Sequence, residues 1–249
     1  EAADAAGIDY LTLEDSLHVQ GADLGSPLGD PAGETPPQLH TEIVEGRLDA
    51  LIVASWIAPR TRRIGVIPTV TTTHTEPFHL ATALQTLGVG SEGRAGWQLR
   101  FSPSPVDAAA FGRKEAPQIN IAAVIAGEED PDLSELIDEA ADVSEVARGL
   151  WDSWEDDAII RDVATGRFLD RDRVHHINFE GDRFSVAGPS IVPRSPQGQL
   201  PITLLAHAAP IYRLAAEVAD VVFITPDSVS KRAGASRGRS AAEIVAAVR

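Results

Sequence analysis

The sequence predicts an α/β protein in which parallel strands are joined by crossover helices. Two observations carry this. Short β-branched apolar runs alternate with segments whose apolar residues recur at three-to-four spacing, and such alternation is the mark of strand–helix–strand units. The chain also has 249 residues, 43% of them hydrophobic and 23% charged, which suffices for one substantial core and excludes wholesale disorder. No repeat of solenoid length is visible. Pattern alone leaves a closed β/α barrel and an open doubly wound sheet equally open, and in either the functional groups belong at the carboxyl ends of the strands.

The elements follow in chain order. Ala2, Ala3, Ala5 and Ala6 read as the end of a helix stopped by Gly7, and Tyr10 to Leu13 as a short strand ending on Glu14 and Asp15. Residues 21–37 are rich in Gly, Pro and Asp and predict a long loop. A helix is expected over residues 47–59, with Leu48, Leu51, Ile52 and Ser55 on one face. Residues 63–70 (RIGVIPTV) are a buried-strand candidate, and residues 77–87 a helix with Pro in its first turn. A turn at 93–96 leads to a strand at 97–101. The apolar run 119–125 fits a strand or a buried helix. Residues 142–154 are helical, with Val143, Val146, Leu150 and Trp154 forming a core stripe. Residues 166–200 alternate and are punctuated by Gly and Pro, which predicts a hairpin-bearing excursion. Strand, helix and strand follow at 201–206, 211–218 and 220–224. A basic Ser/Gly-rich loop at 227–240 precedes a final helix at 241–248.

Composition removes several functions. A net charge of −16, from 37 acids and 21 bases, opposes binding to a phosphate backbone and favours solubility. No apolar run reaches the roughly 20 residues that span a bilayer, and no signal-peptide pattern opens the chain. Cysteine is absent, so disulfides, thiolate nucleophiles and iron–sulfur clusters are out, which is compatible with the cytoplasm. Methionine is absent too, and the expectation is that the chain starts inside a longer gene product. Adjacent His175 and His176 would point to opposite faces of a strand, so no metal site is expected. Neither a Gly-x-Ser-x-Gly elbow nor a Gly-x-Gly-x-x-Gly or phosphate loop occurs.

The stretch THTEPFHLATALQTL (73–87) followed by EGRAGW (92–97) resembles the bacterial luciferase-like monooxygenases. The likeness is closest to the branch acting in nitrilotriacetate, alkane-sulfonate and dibenzothiophene metabolism. Phe111-Gly112, LWDSWEDDA (150–158), NFEGDRFSVAGP (178–189), PQGQLPITLLAHA (196–208) and RLAAEVADVVF (213–223) match further blocks in the same order. The resemblance implies a single luciferase-like domain over residues 1–249, incomplete at both ends. It would be a (β/α)8 barrel carrying strands two to six, with an insertion over 166–200 covering the mouth. It also implies a flavin-dependent oxidoreductase: a two-component monooxygenase using reduced FMN and dioxygen on a small organic substrate, with a separate NAD(P)H:flavin reductase and a homodimeric or homotetrameric assembly. Alternatives are a homologue that has lost flavin turnover and a deazaflavin (F420)-dependent hydride transferase.

By the same resemblance Asp15 and Thr69 would contact the flavin. His74, from its place in the strand–helix loop, is either the catalytic candidate facing the pocket or a satisfied loop histidine. Glu76 and His79 belong to helix capping and packing. Relatives carry a His and a Tyr where this chain has Leu133 and Ile137, and an Ala-Gly-Ser-Ser turn where it has Leu205-Ala206-His207-Ala208. His207, with Arg213 a turn further on, and the backbone at Ala208 are then the expected cofactor-phosphate contacts. Gln98 replaces the branch's usual Asn.

Overall fold

The computed structural model describes residues 1–18, 46–126, 128–225 and 241–248. The loops expected at 21–37 and 227–240 lie outside the described residues. After a short helix α1 (Ala2–Ala5) come strand β1 (Tyr10–Leu13), helix α2 (Ala50–Ile57), β2 (Gly65–Thr71), α3 (Pro77–Gly90), β3 (Trp97–Arg100), α4 (Pro105–Phe111), α5 (Ile121–Ala126) and α6 (Pro131–Asp152). Two hairpins follow, β4 (Ile159–Asp162) with β5 (Arg167–Leu169) and β6 (Phe179–Glu180) with β7 (Ser185–Val186). The chain returns through β8 (Ile202–Ala206), α7 (Ala209–Val218), β9 (Val221–Ile224) and α8 (Ala241–Val248).

Strands β1, β2, β3, β8 and β9 form one sheet in that order, and every described pair is parallel. Laid flat, the two outer strands would stand about 19 Å apart, at about 4.8 Å per strand spacing. Yet the ring centroids of Tyr10 on β1 and Phe223 on β9 are 6.5 Å apart. The sheet is therefore curled, and these rings mark its concave face. Register places Gly65, Ile67, Thr69 and Thr71 of β2, Gln98 and Arg100 of β3, and Thr203 and Leu205 of β8 on the same face.

The opposite face carries the helices. Trp97 and Trp151, both 0% exposed, meet edge to face at 6.4 Å and join β3 to α6. Each indole also donates a hydrogen bond, Trp97 to the Val70 carbonyl and Trp151 to that of Ala81. Val143, Val146, Leu150, Leu80 and Leu84 complete this layer, all buried.

Several expectations change. Of the α2 face chosen from spacing, Leu51 packs against the core but Leu48 and Ile52 are 78% and 70% exposed, whereas Ala50, Ala54 and, just past the helix, Ala58 are buried. Small side chains let the helix lie close to β2, so size outranks hydrophobicity here. The run at 119–125 resolves as helix α5. Helix α6 starts at residue 131, capped by Asp130 through the Leu133 amide, and not at 142. Trp154 lies beyond the helix end and donates to the Ser190 carbonyl, so Trp151 fills the core position instead. The β6–β7 hairpin packs along the flank of α6, where Arg183 pairs with Asp142 at 3.1 Å. Helix α4 and the β4–β5 hairpin were not anticipated. Ser104, whose hydroxyl accepts from the Asp107 amide, with Pro105 in the first turn and Gly112 past the helix end, signals the former, and Thr165-Gly166 the latter.

The EGRAGW block is a latch at the amino-terminal end of the sheet. Gly93 takes φ +83, and a Cβ on Gly96 would stand 3.0 Å from Ile67 Cγ1 and 3.2 Å from the Pro201 carbonyl oxygen. Between them, the Arg94 guanidinium donates to Thr61 Oγ1 and to the carbonyls of Ile64, Ala58 and Thr61 at 2.8–3.1 Å. Lysine cannot reproduce this fork. Arg94→Lys should therefore lower stability by about 2–4 kcal/mol, as expected when two or more charge-assisted bonds are lost. Urea unfolding measures this, and an unchanged midpoint would refute the latch.

Candidate functional site at the strand ends

A parallel sheet brings the carboxyl ends of all its strands to one edge, and the candidate residues lie along it. Leu13 pairs with Pro68 and Thr69 with Gln98, so Asp15 and Thr69 sit on neighbouring strands at the same end. Their environments differ. The Asp15 carboxylate accepts from the amides of Ser16 at 2.7 Å and Ala50 at 2.8 Å, fastening the end of β1 to the start of α2. Thr69 is 2% exposed, and its hydroxyl has no hydrogen-bond partner.

His74 follows β2 in a left-handed conformation, φ +70. It is 6% exposed, stacks on Phe111 at 5.4 Å and 15°, and leaves both ring nitrogens without a partner. A buried imidazole with two unsatisfied nitrogens is costly unless a ligand completes it. Burial pushes its pKa below the ordinary value, helped by the Lys114 ammonium and opposed by the carboxylates of Asp107 and Glu139. Glu76, at the start of α3, makes no side-chain capping bond and pairs with Arg113 at 2.6 Å.

Across the edge, β8 ends at Ala206. His207 is exposed, and Ala208 is the uncapped residue that opens α7. The amides of Ile211 and Tyr212 already donate to the Ala208 carbonyl, and Pro210 has no N–H, which leaves Ala208 and Ala209 as backbone donors. Arg213 is exposed on α7. Leu133 and Ile137, on the first turns of α6, are half-buried, and Ile137 packs against the core.

The structure adds a cluster that motif reading missed. Asp107, 3% exposed on α4, accepts from the Ser102 hydroxyl and sits 2.8 Å from His18 Nδ1, while the Ser102 amide donates to Thr73 Oγ1. The available signal was the spacing of Ser104, Pro105 and Asp107, which starts a helix immediately after β3. Ser16 Oγ stands 3.3 Å from both ring nitrogens of His18. A hydroxyl equidistant from the two nitrogens lies along the lone pair of neither, so the Ser16–His18 contact lacks the aligned hydrogen bond of a nucleophile and its base. Among the described residues no group of His, Asp and Glu is placed to hold a metal ion, and no helix is long and apolar enough to cross a membrane.

The family of luciferase-like monooxygenases matches this chain over residues 1–248. N-acetyl-S-(2-succino)cysteine monooxygenase of Bacillus subtilis (strain 168) is 33% identical over 221 residues, covering 89% of this chain and 43% of that protein. Nitrilotriacetate monooxygenase component A of Aminobacter aminovorans is 32% identical over 228 residues, covering 92% and 46%. The chain thus spans just under half the length of these relatives. Among solved structures, riboflavin lyase with a modified FMN and its substrate riboflavin superposes with a TM-score of 0.69 at 26% identity, covering 89% of this chain and 44% of that one.

The lowered pKa of His74 has a definite sign in stability. Below about pH 6.5 the unfolded chain binds the proton that the folded one resists, so stability declines as pH falls from there toward the folded pKa. Asparagine tolerates the positive φ and does not titrate. His74→Asn should therefore show a smaller loss of urea midpoint between about pH 7.5 and about pH 5.5 than the parent protein. Equal losses would contradict a desolvated imidazole at this position.

Proposed function

The chain belongs to the luciferase-like monooxygenase family, and from that premise we propose that it is the flavin-binding part of a two-component monooxygenase. In this reading its five parallel strands are the second to sixth of a (β/α)8 barrel, interrupted before the fifth by the segment 166–200. The observation that carries the reading is the pair of buried, unpartnered polar groups at the strand ends, the Thr69 hydroxyl and the His74 imidazole. Reduced FMN, when bound, supplies the activation of dioxygen for attack on a small organic substrate.

These residues fit a flavin at its ring end. A hydroxyl both donates and accepts, which suits the mixed edge of an isoalloxazine ring. The neutral His74 imidazole offers one donor and one acceptor, so it can hold or pass a proton beside the ring. Phe111 shields it from water by stacking. Asp15 keeps β1 and α2 in place and shapes the rim through its hydrogen bonds to Ser16 and Ala50. At the phosphate end the donor set is thinner: His207 and the amides of Ala208 and Ala209 are the groups on offer, consistent with an α7 start that has no side-chain cap. The solved relative with a modified FMN supports FMN over a deazaflavin. The relative described as component A supports a separate reductase partner.

Titration of the full-length protein with FMN and with deazaflavin, followed by flavin fluorescence, tests this. Saturable FMN binding with reductant-dependent oxygen uptake is expected. Saturation by deazaflavin alone would assign a hydride transferase, and binding of neither would make the chain a non-catalytic homologue. Thr69→Val keeps the side-chain shape and removes the hydroxyl. It should weaken FMN by roughly fivefold, the equivalent of one net hydrogen bond of about 1 kcal/mol. Unaltered affinity would remove Thr69 from the site.

A further inference from the structure

We propose that Arg100 is the anchor for an anionic group, a carboxylate or sulfonate, on the organic substrate. This rests on the reading of the concave mouth as the flavin and substrate site.

Arg100 closes β3 and pairs in register with Thr71, which puts it on the concave face one step above the Thr69–Gln98 pair. That face is otherwise uncharged along the paired registers of the five strands: Tyr10, Thr12, Ile67, Thr69, Thr71, Gln98, Thr203, Leu205, Val221 and Phe223 share it. In a chain with net charge −16, one guanidinium on the face that curls inward is a specific placement.

Its tether gives it a direction. Nη1 donates to the Asp15 carbonyl at 2.7 Å, so the side chain reaches from β3 across β2 to the end of β1. It leans away from β8 and the His207–Ala208 turn, where a flavin phosphate would sit. Nη1 also lies 3.9 Å from the carboxylate of Glu14, which is 79% exposed. So exposed a pair is too screened to satisfy the cation. Nε and Nη2 have no acceptor among the described residues. Two adjacent N–H groups in a fixed plane match the two oxygens of a carboxylate or sulfonate. The buried, unpartnered hydroxyl of Thr69 one layer below shows that the same patch is built to receive polar groups.

The test uses the full-length protein loaded with FMN, titrated with succinate, methanesulfonate and dimethyl succinate by calorimetry. Binding of at least one anion is expected, with the neutral diester at least about tenfold weaker than succinate. Arg100→Gln should lose about tenfold or more of the anion affinity and keep its FMN affinity, while Arg100→Lys, retaining charge without the fork, falls between. The FMN titration of each variant reports separately on the flavin reading and on folding. Three results would overturn the assignment: no anion bound by the parent protein, equal anion affinity in Arg100→Gln, or a variant that loses FMN but not riboflavin, which would give Arg100 to the cofactor phosphate.

Discussion

The common direction of the strands is the constraint on which the rest depends. Parallel neighbours cannot be joined by tight turns, so each connection must cross back over the sheet, and here α2, α3 and α7 do so together with the longer excursion through α6. Because every crossover returns to the same end, the segments after β1, β2, β3 and β8 are delivered to one edge. Asp15, Thr69, His74, Ser102 and His207 are scattered over nearly two hundred positions of sequence, yet the ladder leaves them side by side. The curl shown by the Tyr10–Phe223 contact turns that edge into a concavity.

Architecture and chemistry are divided between the two ends. At the amino-terminal end, the block that made the family recognisable serves packing: Gly93 and Gly96 admit close approaches, and Arg94 gathers carbonyls from the turn before β2. At the carboxyl end, the Thr69 hydroxyl and both His74 ring nitrogens are buried without hydrogen-bond partners, as Gln85 Nε2, Arg183 Nε and Ser195 Oγ are elsewhere among the described residues. A core that leaves Thr69 Oγ1 and both nitrogens of His74 unsatisfied gives up stability that a purely structural edge would keep. The contrast is sharpest for Asp15, whose oxygens are both engaged by backbone amides. Asp15 fastens β1 to α2, whereas Thr69 and His74 keep hydrogen-bonding groups without partners.

The mouth is also electrostatically ordered. Asp107 collects Ser102 and His18 on one side and raises the proton affinity of His74, while burial and Lys114 lower it further than the acids restore. Arg100 places positive charge near the end of β1. A desolvated imidazole just after β2 and a guanidinium at the end of β3 thus stand on adjoining strands.

By itself, the sequence determined the α/β class and which runs form the strands of the sheet, because strand alternation and turn residues are local signals. It also marked Thr69 as a candidate through a family resemblance carried by contiguous blocks, and His74 through its place in the loop after a strand. Tertiary structure decided what depends on contacts distant in sequence. The buried face of α2 went to alanines because β2 lies close beneath them, and Trp151 rather than Trp154 filled the core because α6 begins at residue 131 and ends before Trp154. Asp107 and His18, 89 positions apart, met only once β1 and β3 were in one sheet. Nor does any local pattern reveal whether a polar side chain finds a partner: Asp15 did and Thr69 did not, since satisfaction of a hydrogen bond is a property of the assembled neighbourhood.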